Sequence, residues 1–427
     1  MSMRKQSIAV GLILILTLLC FAGSAMAKKV TITYWTGWGG SELEDLKKII
    51  DEFNKSNPRV QVETTTIFGA YEKLLTAIAG GRAPDVVSAV WASQLAALAH
   101  NGGIMPLDKY VSKSDKVKAG DFFPSLWKSF HYNGKLYGLA ATTNTNFVAY
   151  NKAMFKEVGL DPAKPPEMLN ELEAYAKKLT KWDTQKNITR LGYLPAGIWK
   201  WALVFGGDWY DEDKKQITAD NPKNVEALKW LGKYWAEYGV DSLQKFTAGF
   251  GNYWSPNNPF MVGKLAMQDY GEWLQQFGEK YNPKLEYGLF ATPYPAGGRK
   301  NVTTFGGSIF CIPVGSKHPD EAWEFIEWIT GPYAQKKIAK VFTNMPPRVA
   351  VAKDPELLAD VPILKFGLKL LEGPNAFGDI QIPVWAQYQE EMGRVEEQVT
   401  RGQMTAEAAL KELQAKMQKE LEKTLRK

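Results

Sequence analysis

The chain has 427 residues, 45% hydrophobic and 23% charged, with 37 Gly and 23 Pro. At roughly 100–200 residues per domain that is two to four domains or two large ones, and the balance excludes disordered, collagenous and disulfide-rich classes. A formal charge of +6, small for this length, predicts no nucleic-acid partner.

Arg4 and Lys5 precede an apolar run from Ile8 to Ala22, and Ala25-Met26-Ala27 has the small-x-small pattern of a cleavage site. Residues 1–27 therefore read as a cleaved secretion signal rather than a membrane anchor, since the run is short for a span of about 20 residues. Cys20 follows Leu19 rather than a small residue, so lipid attachment is not expected. Removing Arg4 and Lys5 with the leader takes the charge from +6 to +4. Cys311 is then the lone cysteine, which rules out an intrachain disulfide despite an oxidising destination.

Val30 to Tyr34 alternates as a strand, followed by a loop from Trp35 to Gly40 and a helix with Ser41 and Glu44 at capping-box spacing. Leu43, Leu46, Ile50 and Phe53 form its apolar stripe. Val60 to Val62 reads as a strand, Tyr71 to Ala79 as a helix closed by Gly80-Gly81, and Asp85 to Val90 as a third strand. This β-α-β-α-β rhythm predicts an α/β fold with a largely parallel sheet, and such sheets bind ligands at the carboxyl ends of their strands. Composition shifts near Asn146. From there to about Arg299 the chain reads as helix-rich and aromatic, with Trp182, Trp199, Trp201, Trp209, Trp230, Trp235, Trp254 and Trp273. Thr304 to Val314 reads as a strand and Asp320 to Ile329 as an amphipathic helix. Thr405 is a plausible N-cap for a last helix to Leu425, with Leu410, Leu413, Met417 and Leu421 as its seam.

Catalytic motifs are few. His100, His131 and His318 stand at no metal-ligand spacing, nucleophile elbows, P-loops and dinucleotide fingerprints are absent, and Gly249-Phe-Gly251 lacks a third glycine. His131 lies in a hairpin signal, His-Tyr-Asn-Gly-Lys135. No cofactor or metal is expected. Fifteen Trp, 18 Tyr and 20 Phe exceed what a core of this size needs, so some belong on a binding surface. Carboxylates such as Asp208, Asp211 and Glu272 keep a secreted glycoside-active enzyme open as the alternative.

Ala79-Gly-Gly-Arg-Ala-Pro-Asp85, Asn133-Gly-Lys-Leu-Tyr-Gly138, Tyr150-Asn-Lys152, Phe260 to Met267, Gly271-Glu-Trp273, Ser308 to Trp328 and Met345-Pro-Pro-Arg348 follow the leader in a distinctive order. In this order they resemble the carbohydrate-binding solute receptors of ABC importers, the maltose-binding-protein-like family, over essentially the whole chain after residue 27. The resemblance implies a two-lobed periplasmic-binding-protein fold with hinge strands and an interlobe cleft. Residues 28–143 and 305–345 would form the first lobe, and 147–302 with 350–427 the second, joined by crossings near 143–147, 302–305 and 345–350. It also implies a non-enzymatic, periplasmic or extracellular monomer that hands an oligosaccharide to the transmembrane subunits of an ABC permease.

A sugar ring offers apolar C–H faces and a rim of hydroxyls, so its site needs flat aromatic platforms with donors and acceptors in plane. By the resemblance Trp273 stacks on the sugar. Trp38, Gly39 and Gly40 lie where the family's first loop meets ligand, and glycines there let backbone N–H groups approach. The charged pair that maltose-binding protein carries in this loop is absent here, so the hydroxyl pattern of maltose is not expected. Trp91, Ser93 and Gln94 follow the third strand, with a helix-start role as the competing reading. Asn144 stands where a sugar-contacting carboxylate occurs in the family. Trp199 and Trp201 precede Gly206-Gly207-Asp208 on a loop expected to present separate faces, and Asp208 is a candidate hydroxyl acceptor. Gly306, Gly307 and Ser308 are expected as backbone contacts, Arg348 as a clamp or a structural ion pair, and Trp385 with Tyr388 as a further platform. Tyr71, Tyr253 and Trp254 are weaker candidates.

Overall fold

The computed structural model describes residues 29–67, 70–250, 253 and 255–426. The leader with Cys20, and Trp254, lie outside the described residues.

Ten strands build two five-stranded sheets: β1 (Val30–Thr36), β2 (Val60–Thr66), β3 (Val86–Trp91), β4 (Leu139–Ala140), β5 (Phe147–Asn151), β6 (Lys181–Trp182), β7 (Ile188–Tyr193), β8 (Leu265–Tyr270), β9 (Tyr287–Phe290) and β10 (Ser308–Cys311). The first sheet has the order β2-β1-β3-β10-β4, with β1, β2 and β3 parallel and β10 antiparallel to both its neighbours. In β1 the alternation seen in the sequence holds, for Ile32, Tyr34 and Thr36 are buried between exposed Thr31, Thr33 and Gly37. Asp85 locks the start of β3: its carboxylate accepts from Thr33 N at 2.9 Å and from Ser316 Oγ at 2.8 Å.

The second sheet has the order β9-β5-β8-β7-β6, with β5 antiparallel to β8 and β9 and β8 parallel to β7. The stretch expected to be helix-rich thus has a mixed sheet at its centre. Its three central strands, β5, β8 and β7, are buried on both faces almost throughout, so they read as short apolar runs without alternation and merge into the helices around them.

Two core clusters form, and the first also takes in Phe147, Ala149 and Tyr270 of the second sheet. The first joins the sheet around β1 to the helices Gly40–Ser56, Ala92–His100, Pro319–Ile329 and Pro332–Phe342. The second packs the helices Leu169–Leu179, Pro222–Tyr238, Trp385–Thr400 and Ala406–Leu425 on the sheet around β7. In the last helix Thr405 caps as expected, accepting from Ala408 N, and Leu410, Leu413, Met417 and Leu421 are buried. The helix at Gly40–Ser56 starts one residue before Ser41, with Gly39 as its N-cap, and Ser41's side chain lies outside the described ones. Residues 351–371 join the first cluster where it reaches the second lobe, with Phe366 edge-on to Phe147 at 5.5 Å.

The chain passes from the first sheet to the second between β4 and β5, and returns between β9 and β10. These crossings are tied to each other. Asn146 N donates to Thr303 Oγ1 at 2.8 Å, and Asn146 Nδ2 to Thr304 O at 2.9 Å. A third segment joins them, with Thr143 N donating to Met345 O at 2.8 Å. Two sheets joined by a few adjacent crossings form the architecture in which hinge closure occurs.

Candidate functional site

The carboxyl ends of both parallel strand sets carry aromatic residues. In the first lobe β1 leads to Trp38, a half-buried indole stacked on Phe342 with centroids 4.6 Å apart. Gly40 stands at φ +57°, a conformation that favours glycine, and no atom lies within 4 Å of where a Cβ would sit. Trp91 ends β3 and is 59% exposed, a large apolar face open to solvent. It pairs in register with Ser308 of β10. Gln94 takes the helix-start role, its Oε1 facing Trp91 N at 3.4 Å, while Ser93 is half-buried in the first turn.

In the second lobe β8 leads to Gly271-Glu272-Trp273. The half-buried Trp273 ring lies over Gly271, where a Cβ would stand 2.2 Å from ring carbon Cζ3. Trp273 Nε1 donates to Tyr253 OH at 3.3 Å, and Tyr253 OH donates to Asp269 O at 3.3 Å. The indole is held from below and from one edge. We therefore expect Gly271→Ala to push the ring aside and weaken ligand binding about tenfold while secondary structure persists; calorimetry beside circular dichroism checks it.

Between the lobes Asn144 and Gly306 come together, with Gly306 N donating to Asn144 Oδ1 at 3.2 Å. Gly307 is needed for close approach, because a Cβ would stand 2.5 Å from Thr142 O. Ser308 is buried at the start of β10. A chain of contacts connects the two aromatic ends: Trp38 packs on Phe342, the next residue Thr343 donates its Oγ1 to Glu272 O at 3.0 Å, and Trp273 follows Glu272.

Six expected residues lie away from these strand ends. Trp199 and Trp201 sit on a helix, Ile198–Phe205, whose apolar run is closed by Gly206 at φ +100°. Residues two apart on a helix point to opposed sides. Trp201 accordingly is 0% exposed, packed against Trp230 at 4.3 Å, while half-buried Trp199 meets Trp385 edge-on at 4.9 Å. Trp385 is itself 0% exposed, its Nε1 donating to Asp379 Oδ1 at 2.8 Å, and Tyr388 is buried beside it. Arg348, 4% exposed, turns into the first lobe: Nη1 meets Asp121 Oδ2 at 2.7 Å, Nε donates to Thr330 O, and the guanidinium lies over Phe122. Asp208 pairs with Arg299 at 2.9 Å.

Asp208 and Trp199 line an interlobe groove of about 520 Å3, together with Phe305 beside Gly306, between the hairpin at His131–Leu136 and the segment Phe377–Gln381. Lys128 of the first lobe bonds both carboxylate oxygens of Glu212 at 2.7 Å along it, an interlobe pair no motif announced. His131 Nδ1 lies 2.7 Å from Trp127 O, a structural role.

Sequence reasoning also missed a pocket of about 230 Å3 beside the end of β8, lined by Leu194, Ala196, Phe250, Tyr253, Gln268 and Asp269. Asp269 forms an ion pair with buried Lys200 and accepts from Tyr193 OH at 2.6 Å. Gln268 Oε1 is buried there without a hydrogen-bond partner among the described residues. The signal was present in β8 itself, Leu-Ala-Met-Gln-Asp-Tyr: two adjacent polar residues in a buried strand point to opposite faces, so at least one must meet a polar partner or a ligand. Among the described residues no three His, Cys, Asp or Glu side chains gather as a metal site.

Residues 48–365 match the family described as bacterial extracellular solute-binding protein. The structure resembles that of CpMnBP1 with mannobiose bound, with 32% identity, a TM-score of 0.81, and 91% of this chain and 99% of that one covered. The same protein with mannotriose bound gives a TM-score of 0.80. Among curated proteins, the multiple sugar-binding protein of Streptococcus mutans is 26% identical over 74% of each chain. The maltotriose-binding protein of Pyrococcus abyssi is 23% identical over 79% of this chain and 70% of its own. With its two sheets, tied crossings and aromatic strand ends, this chain belongs to the bacterial extracellular solute-binding protein family.

Proposed function

We propose that the chain is the substrate-binding receptor of a carbohydrate ABC importer and that it traps a mannooligosaccharide between its lobes. The carrying observation is Trp273, an indole fixed over a glycine at the carboxyl end of a central strand and joined through Glu272 and Thr343 to the crossings. Trp38 and Trp91 would supply first-lobe platforms, and Asn144 with the backbone of Gly39, Gly40 and Gly306 to Ser308 would read hydroxyls. The mannobiose and mannotriose complexes of the 32% identical relative support the choice of sugar, and the curated sugar-binding relatives support the class.

The carboxylates that kept hydrolysis open are committed elsewhere. Asp208 is paired with Arg299, Asp211 with Lys214, and Glu272 is buried against the first crossing. Delivery to a permease, with the chain acting as an exported monomer, completes the reading.

Calorimetry against mannose, mannobiose, mannotriose and maltotriose tests it. Mannotriose should bind at micromolar Kd or tighter, about 8 kcal/mol, and mannose at least about tenfold more weakly, because several platforms imply several subsites. Maltotriose binding best, or release of reducing ends during incubation, would overturn the assignment.

A further inference from the structure

Glu272 is 0% exposed and makes no ion pair among the described residues. Its carboxylate accepts from Thr145 N, at 3.0 Å to Oε1 and 3.1 Å to Oε2, and from Thr145 Oγ1. Thr145 stands in the middle of the first crossing. The main-chain carbonyl of Glu272 holds Thr343, two residues before Met345 of the third. Gly367 closes the space from the remaining side, where a Cβ would stand 2.3 Å from Glu272 Oε1 and 2.5 Å from Thr145 Oγ1. One residue thus grips two of the three segments that join the lobes, and its neighbour in the chain is the proposed sugar platform.

We propose that Glu272 is a positioning residue of the joint: ionised, it grips Thr145 and confines the lobes to a narrow range of angles, and protonated, it frees them. An ionised carboxylate in a dry site cannot be left without donors, so any rotation that carries Thr145 away is strongly opposed. A neutral carboxyl needs fewer donors and opposes the same rotation less. Burial pushes the Glu272 carboxyl up to about 7, with the Thr145 bonds pulling the other way, so both forms are populated near neutrality.

No titratable side chain on 143–147 or 343–345 faces it. On the helix Leu364–Leu371 the charged residues are Lys365 and Lys369, both exposed. Of the charged groups on the adjoining segments, Arg348 is held by Asp121 and Asp269 by Lys200.

The inference rests on the two sheets moving as lobes about these crossings, and its first test needs no sugar. Spin labels at Lys113→Cys and Lys178→Cys, exposed positions in the first and second lobes, report the interlobe distance distribution while Cys311 stays buried. In the ligand-free protein the distribution should be about twofold broader at about pH 5.5 than at about pH 8.5, and Glu272→Gln should be broad at both. A width independent of pH, or a Glu272→Gln protein that tracks the parent, overturns the proposal. Should that variant not fold, Thr145→Ala removes the hydroxyl donor and keeps the amide, and it should broaden the distribution at the higher pH; no broadening overturns it equally. With mannotriose as probe, dissociation should speed up about threefold at the lower pH in the parent alone. If mannotriose fails to bind while the ligand-free widths respond, the choice of sugar falls and the clasp stands.

Discussion

Trp273→Ala should weaken oligosaccharide binding by about thirtyfold and leave the thermal transition within a few degrees of the parent. The size follows from area. One face of an indole covered by a sugar removes about 80 Å2 of apolar surface from water, or about 2 kcal/mol at 25 cal/mol per Å2. The small cost to folding follows from position: the ring is half-buried at the rim of the first core cluster, lying over Gly271 and bonded to Tyr253 OH at 3.3 Å, whereas Trp201 is 0% exposed. Tyr253 keeps its bond to Asp269 O when the indole goes. Calorimetric titration of both proteins with mannotriose, beside differential scanning calorimetry, separates the two effects. An unchanged Kd would remove Trp273 from the site. A collapse of the transition would make it a core residue instead.

Trp201→Ala provides the contrast, because Trp201 looks equivalent in the sequence and is not. Both are tryptophans near glycines in the second lobe, yet one ends a strand and the other lies inside a helix with Trp230 against it. What distinguished them was local geometry. Gly271-Glu-Trp273 directly follows a strand parallel to β7, and ligands of open α/β sheets bind at the carboxyl ends of the parallel strands. The fate of Trp199 and Trp201 depended on whether 198–205 coils, which two flanking glycines leave ambiguous. In the first lobe β1 and β2 were legible because one strand side packs and the other does not, so burial alternates. The central strands of the second sheet, covered on both faces, leave no period to read. Arg348 and Trp385 illustrate a further limit. Each has a polar tip that a cleft or a core partner satisfies equally well, and the partners, Asp121 and Asp379, are 227 and 6 residues away along the chain. Nothing at either position distinguishes the two outcomes before the fold is known. Asp269 and Lys200 are of the same kind, 69 residues apart and meaningful only as a pair.

Buried carboxylates of this sort leave a signature in the pH dependence of stability. Burial pushes Glu272 up to about 7 and likewise pushes Glu396 up to about 7; Glu396 Oε2 accepts from Ile198 N at 2.6 Å, at the first turn of the helix that carries Trp199. In the unfolded chain both would titrate near 4.5. Between about pH 4.5 and 7 the folded protein therefore retains protons that the unfolded chain has shed, so stability falls as pH rises through this window and levels off above it. Each group accounts for about 3 kcal/mol across the full window. Glu157 and Glu52 act in the opposite sense: hydrogen bonds from Lys181 and from Lys337 respectively lead the causes that hold them below the usual carboxylate range, and their contribution is lost only as pH drops below about 4.5. The melting temperature should accordingly be higher at about pH 5.5 than at about pH 8.5, by several degrees for a chain of this length. Glu272→Gln with Glu396→Gln keeps an amide oxygen for each backbone donor and abolishes these two ionisations, so the double variant should lose most of the parent's slope, the remainder belonging to Asp379 and Glu42, which burial also pushes up. A parent that melts higher at the alkaline end, or a double variant that retains the parent's slope, would show that these carboxyls are not carried into the folded protein in their neutral form.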